Sequence, residues 1–270
     1  MRLLPWYRPT LDARPTLDAG DRMRKSWLLG AIVVSAGIAA HADEPPTKAA
    51  DDPDAEMWAG HQATVGARRV PILGRLVTRS DTFLLARIRR DGDEVHLEQQ
   101  LCKLDIAPFA GVKVSLLAEG LPKMPRTRIT FRRKGLRWEA VPWSTSWNYE
   151  DVDQDGKPGA TVRVEAPVCG GTVYVGSNSQ AIARGVEKAG ALSGELKVSI
   201  DQRILETSGG CLGLVAKDTK ENVAGTFAYT PVPAGSTCES LLAASEWPAH
   251  AVPPPDPKEA APPRKRVRVR

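Results

Sequence analysis

The chain has 270 residues, 42% of them hydrophobic and 26% charged, with a formal net charge of +5. Residues 43–270 suffice for one domain with a sizeable core and are too few for two. The charge sits at the ends: residues 1–42 carry +3 and residues 256–270 carry +4, which leaves 43–255 at −2 and excludes a broadly basic folded surface.

Within residues 1–22, Arg8 to Ala13 is repeated at once as Arg14 to Ala19, and this stretch is set aside as a non-structural extension. Residues 23–42 have the pattern of a secretory signal peptide. Arg24 and Lys25 form the positive region, Trp27 to Ala40 the apolar run, and Ala40-His41-Ala42 the cleavage tripeptide. The run is shorter than the roughly 20 residues of a bilayer crossing. The expected mature chain starts at Asp43 and is secreted or periplasmic, with no transmembrane span after processing. Residues 43–56 set six acidic side chains against Lys48 and read as a disordered acidic linker. A single β domain is expected over 57–247, followed by a disordered Pro-rich tail over 248–270. That tail closes on Arg264-Lys265-Arg266-Val267-Arg268-Val269-Arg270, a run suited to contact with an anionic envelope surface.

Inside the domain the apolar pattern has period two, the mark of strands with one buried face. Leu84, Ala86 and Ile88 alternate with Leu85, Arg87 and Arg89; Asp91-Gly92 supplies a turn, and Val95, Leu97 and Leu101 begin the return strand. Thr127, Ile129 and Phe131 lead through Lys134-Gly135 to Leu136, Trp138 and Ala140. The pattern recurs at Val162 and Val164, Val173 and Val175, Leu196, Val198 and Ile200, and Phe227 and Tyr229. Only Ser179 to Lys188 and Ser240 to Ser245 read as helical. About eight to ten antiparallel strands are expected, in an all-β barrel of lipocalin-like build or, as the alternative, a β-sandwich. The barrel is preferred because sequential hairpins in an open sheet leave long exposed edges.

Cys102, Cys169, Cys211 and Cys238 all fall in the domain, and an oxidising compartment favours two disulfides. Of the three pairings, Cys102–Cys238 with Cys169–Cys211 is preferred, because the first ties the last segment to an early strand and the second joins neighbouring loops. No C-x-x-C pair supports zinc.

The sharpest motif is Asp151-Val152-Asp153-Gln154-Asp155-Gly156. Carboxylates at alternate positions before a glycine can point several oxygens at one hard cation, so Asp151, Asp153 and Asp155 are candidate calcium ligands. The bidentate Glu that closes an EF-hand is missing, since its position holds Val162. Just upstream, Trp143, Trp147 and Tyr149 are candidate ligand-binding aromatics, because rings beside polar groups suit glycans and small apolar molecules. Arg126, Arg128, Arg132, Arg133, Lys134 and Arg137 form a dense basic cluster. Their alternation with Thr127, Ile129 and Phe131 makes them the wet face of a hairpin, so nucleic acid is not an expected partner.

No nucleophile elbow, metalloprotease helix or phosphate-binding glycine loop is present, and no catalytic residue is assigned. Leu101 to Asp105, Asp153 to Val162 and Val232 to Cys238 together resemble, in their order, uncharacterised secreted β-rich proteins of myxobacterial type. That resemblance implies an extracytoplasmic β fold and no known activity. The reading as a whole is of a non-enzymatic binding or structural module holding a small apolar or glycan ligand. The alternatives are a calcium-stabilised envelope surface protein and a hydrolase with a carboxylate pair hidden from sequence.

Overall fold

The computed structural model describes residues 55–70, 74–109 and 111–256. The expected extension, signal peptide, acidic linker up to residue 54 and tail from residue 257 lie outside the described residues. The strands are β1 (Glu56–Val70), β2 (Gly74–Asp91), β3 (Glu94–Ile106), β4 (Lys113–Leu116), β5 (Thr127–Lys134), β6 (Arg137–Ala140), β7 (Trp143–Trp147), β8 (Ala160–Glu165), β9 (Gly171–Lys188), β10 (Ala191–Ser208) and β11 (Thr219–Pro231). Two short α-helices, α1 (Leu212–Val215) and α2 (Cys238–Leu242), and one turn of 3-10 helix at Leu121–Lys123 complete the set among the described residues.

All strands belong to one antiparallel sheet, and hydrogen bonding returns to its start through eight of them: β10, β11, β1, β2, β3, β5, β6, β9 and back to β10. The closure is uneven. One side of β9 pairs with β10 over nearly its whole length, while the other is shared by β6, β7 and β8 in succession. Only Trp138 and Glu139 of β6 reach β9, so the ring departs from a regular barrel there. Closing the ring leaves few unpaired edges, the hazard that long hairpins otherwise create.

Alternation assigns the two faces. Trp58, Leu84, Ala86, Ile88, Leu97, Phe131, Leu196, Val198, Phe227 and Tyr229 face inward and form the main core. Phe131 and Phe227 have ring centroids 5.8 Å apart and Phe227 and Tyr229 5.9 Å, a chain of rings that fills the interior at that level. Gly60 belongs to this packing, because a Cβ there would come within 2.4 Å of the Tyr229 ring. Tyr229 donates to Gln99 Oε1 and accepts from Gln62 Nε2, so its hydroxyl is not stranded among the rings.

A bulge resets the phase of β3. Leu84 pairs with Leu101 and Phe83 with Lys103, which leaves Cys102 as the extra residue. Cys102 thereby turns to the outer face, beside Ala59 and Leu85, and bonds Cys238 at the start of α2 with Cα atoms 5.1 Å apart. Cys169 bonds Cys211 with Cα atoms 5.8 Å apart, linking the entry to β9 with the N-terminus of α1.

Two expectations change. Ser179 to Lys188 is strand, not helix, because its backbone pairs with β10 on one side and with β6 and β7 on the other. Residues 248–256, expected to be disordered, lie against β1 instead. Trp247 donates its indole N–H to Gly60 O at 3.0 Å, and Ala249 and Ala251 are buried against Ala59, Ala63 and Ala228. Small side chains at alternate positions let an extended segment approach the sheet closely.

Candidate functional site

The acidic loop joins β7 to β8. Its base is closed by the Gly159 amide donating to Glu150 O at 2.9 Å and the Val152 amide donating to Gly159 O at 3.2 Å. Gly159 has φ +74°, and a Cβ on it would meet Val175 O at 2.4 Å, so no other residue fits this corner. Within the loop, Asp151 accepts the amides of Asp155 at 3.1 Å and Gly156 at 2.8 Å. Asp155 accepts the Lys157 amide at 2.8 Å and the Thr161 hydroxyl at 2.5 Å, and Asp153 accepts the Thr161 amide at 2.7 Å. These bonds bring one oxygen of each carboxylate within 4.8 Å of the others.

The three carboxyls differ in environment. Burial pushes Asp153 above the usual carboxylate range, outweighing the Thr161 amide, and the charges of Asp155 and Asp151 push it further. Loss of hydration acts on Asp151 too, but the amides of Gly156 and Asp155 together hold it below that range. Glu150 is also lowered, chiefly by the Asn148 amide at 2.6 Å.

The three aromatic candidates are not brought together. Tyr149 is 74% exposed in the loop, and Trp147 is buried in the core opposite Ser177. Trp147 Nε1, Ser177 Oγ and the neighbouring Thr145 Oγ1 have no hydrogen-bond partner in the protein. Trp143 lies opposite Ala181, packs partly against the main core, and belongs to the lining of a groove of about 650 Å³ crossing β7, β9, β10 and β11.

Strand register orders this groove. Ser144 lies opposite Gln180, Gln180 opposite Ser199, and Ser199 opposite Asn222, which makes one cross-strand row of hydroxyls and amides. The next row holds Ile182, Lys197 and Ala224 in the same manner. These side chains are exposed, whereas the alternating Ala181, Val198 and Val223 are buried, so the groove lies on the outer face. Neither row is tied up in side-chain hydrogen bonds, and Lys197 has no ion-pair partner among the described residues. The adjacent row differs, because there Ser146 donates to Asn178 and Lys220 pairs with Asp201 at 2.7 Å. Sequence reasoning missed the first two rows because their members come from four strands whose register only the structure supplies.

Other polar groups are structural. The Arg126, Arg128 and Arg132 side chains reach Glu98 and Glu94, Lys134 reaches Glu139, and Arg133 lies over the Trp138 ring at 5.9 Å. Arg126, Arg128, Arg132 and Lys134 are thus engaged in pairs on the wet face of β3, β5 and β6. Glu221, 5% exposed in the interior, accepts from Thr78 Oγ1 at 2.9 Å and sits where a Cβ on Gly66 would be. Among the described residues no helix is long and apolar enough to cross a membrane. No protein-family model matches the chain, and neither a curated protein sequence nor a solved structure is significantly similar to it.

Proposed function

We propose that this protein is a secreted or periplasmic, non-enzymatic binding module that takes a glycan along the outer groove. The observation that carries the reading is the row Ser144, Gln180, Ser199 and Asn222, which offers hydroxyl and amide groups free of side-chain partners along the groove. Sugars present hydroxyls at their edges, and a row of neutral donors and acceptors suits them. Four adjacent strands span about 14 Å at the usual strand spacing, the length of a short oligosaccharide. Lys197, on the neighbouring row, favours a glycan that carries a carboxylate or sulfate.

Binding, rather than turnover, is supported by the lining itself, in which Lys197 is the one titratable side chain. The extracytoplasmic setting is supported by the two disulfides. The test is a glycan array that includes neutral and uronic-acid oligosaccharides, followed by titration of the best ligand. Wild-type protein should bind at least one, and Gln180→Ala and Asn222→Ala should each weaken that binding at least about tenfold. An array without a hit, or variants that bind as the wild type does, would contradict the reading.

A further inference from the structure

We infer that Asp151, Asp153 and Asp155 hold one hard divalent cation, calcium, between their carboxylates, a site independent of the outer groove. The residue that points to an ion is Asp153. Its side chain is 4% exposed; Oδ2 accepts the Thr161 amide, and Oδ1 is buried with no donor in the protein. A buried carboxylate oxygen that accepts no hydrogen bond is among the costlier polar atoms to take out of water. This one is also held close to two further carboxylates, one oxygen of each lying within 4.8 Å. A cation between them satisfies the orphan oxygen and removes the mutual repulsion in a single step.

Nearby amines do not fill that role. Lys123 Nζ donates to Gln154 O at 3.3 Å, and Lys157 Nζ lies 5.4 Å from the Tyr174 ring centroid and 3.6 Å from Glu206. The cover over Asp153 is fitted closely. A Cβ on Gly120 would come within 2.7 Å of the Asp153 Cβ, so the turn before residues 121–123 packs directly on the buried carboxylate. Backbone and hydroxyl donors already orient Asp151 and Asp155, and each carboxylate oxygen keeps a second lone pair for a metal.

The donor set is all oxygen, which excludes the thiolate and imidazole chemistry of zinc and selects calcium or magnesium. Calcium accepts six to eight oxygens in adaptable geometry, whereas magnesium demands a near-ideal octahedron and retains its waters. A loop with carboxylates on alternate residues and left-handed turns at Gln154 and Gly156 supplies the former more readily. The closing Glu of an EF-hand is not required for this, since the ligands converge through the Asp151–Gly159 closure instead.

The experiment is calorimetric titration of calcium chloride into chelator-stripped, disulfide-intact protein, with thermal melts in parallel. One site is expected, with a Kd of about 10⁻³ M or tighter, the range of extracellular modules, together with a rise in Tm. Asp153→Asn should weaken binding at least about tenfold and abolish the Tm rise. Asp151→Asn, at an exposed position, should do the same and serves if the buried substitution does not fold. Magnesium chloride should bind more weakly than calcium chloride. No heat and no Tm change at about 10 mM calcium would overturn the inference, as would unchanged binding in Asp151→Asn or tighter binding of magnesium.

Discussion

Ala251 donates its backbone amide to Nδ1 of His61 at 2.9 Å, across 190 residues of sequence. Because Nδ1 accepts, the hydrogen of a neutral ring sits on Nε2, where it is directed at Asp81 Oδ1, 3.0 Å away. The ring also stacks on Phe83 with centroids 4.9 Å apart, and Phe83 meets Trp247 edge-on at 5.4 Å. One imidazole therefore fastens the segment 247–256 to β1 and β2. His61→Phe keeps the stack and removes both hydrogen bonds. A stability loss of about 1–3 kcal/mol is expected, with faster amide exchange in 247–256, measured by denaturant unfolding and hydrogen exchange. Unchanged exchange there would show that the histidine does not hold the segment.

The two disulfides close loops of different length, with sequence separations of 136 and 42. Restriction of the unfolded chain predicts that replacing Cys102 and Cys238 by Ser costs about 1 kcal/mol more than replacing Cys169 and Cys211. Urea midpoints of the two double variants check this. Peptide mapping without reduction should recover Cys102 linked to Cys238.

Much of this architecture was legible in period-two alternation. Leu84, Ala86 and Ile88 face the core, and the Asp91-Gly92 and Lys134-Gly135 turns close hairpins on glycines with φ +56° and +64°. What misled was Ser179 to Lys188, where Ala181 and Ala183 face inward while Ile182 and Val186 face out, at 47% and 43% exposure. Small residues inside and large ones outside invert the usual pattern, so tertiary pairing had to decide against local propensity. Residues 248–256 were missed for a related reason, because the apolar content of Ala249 and Ala251 is too slight to stand out among prolines. At the candidate sites, the spacing of Asp151, Asp153 and Asp155 was visible in sequence, but the burial of Asp153 was not. The groove was invisible apart from Trp143, because it depends on which residues of β7, β9, β10 and β11 lie side by side.

Polar side chains of the interior separate into paired and unpaired groups, and mutation should tell them apart. Thr64 Oγ1 and Ser80 Oγ are 2.7 Å apart, whereas Ser177 Oγ has no partner in the protein. Thr64→Ala leaves the Ser80 hydroxyl buried and unsatisfied, for an expected loss of about 1–3 kcal/mol. Ser177→Ala removes a hydroxyl that makes no bond to the protein and should leave stability unchanged or raise it. Thermal melts of the two variants provide the comparison.

Glu139 gives stability a pH dependence of known sign. The hydrogen bond from Lys134 holds its carboxyl below the usual range, with the charges of Lys134, Arg184 and Arg137 assisting against the loss of hydration. A carboxyl whose folded value lies below its unfolded one stabilises the protein above the unfolded range, and that contribution is lost as pH falls through the folded value. Glu139→Gln should therefore lose less stability on acidification than the wild type, in urea midpoints taken between about pH 6 and about pH 3. Parallel acid slopes would show that the pair contributes nothing.

The claim that the outer groove takes a glycan is tested most directly by mapping backbone amide shifts in NMR spectra while the oligosaccharide selected on the array is added. The account predicts saturable shifts concentrated at 143–144, 180–182, 197–199 and 222–224, the strand segments that line the groove. Shifts centred instead on the ring interior around Trp58 and Tyr229, or on the loop carrying Tyr149, would contradict it.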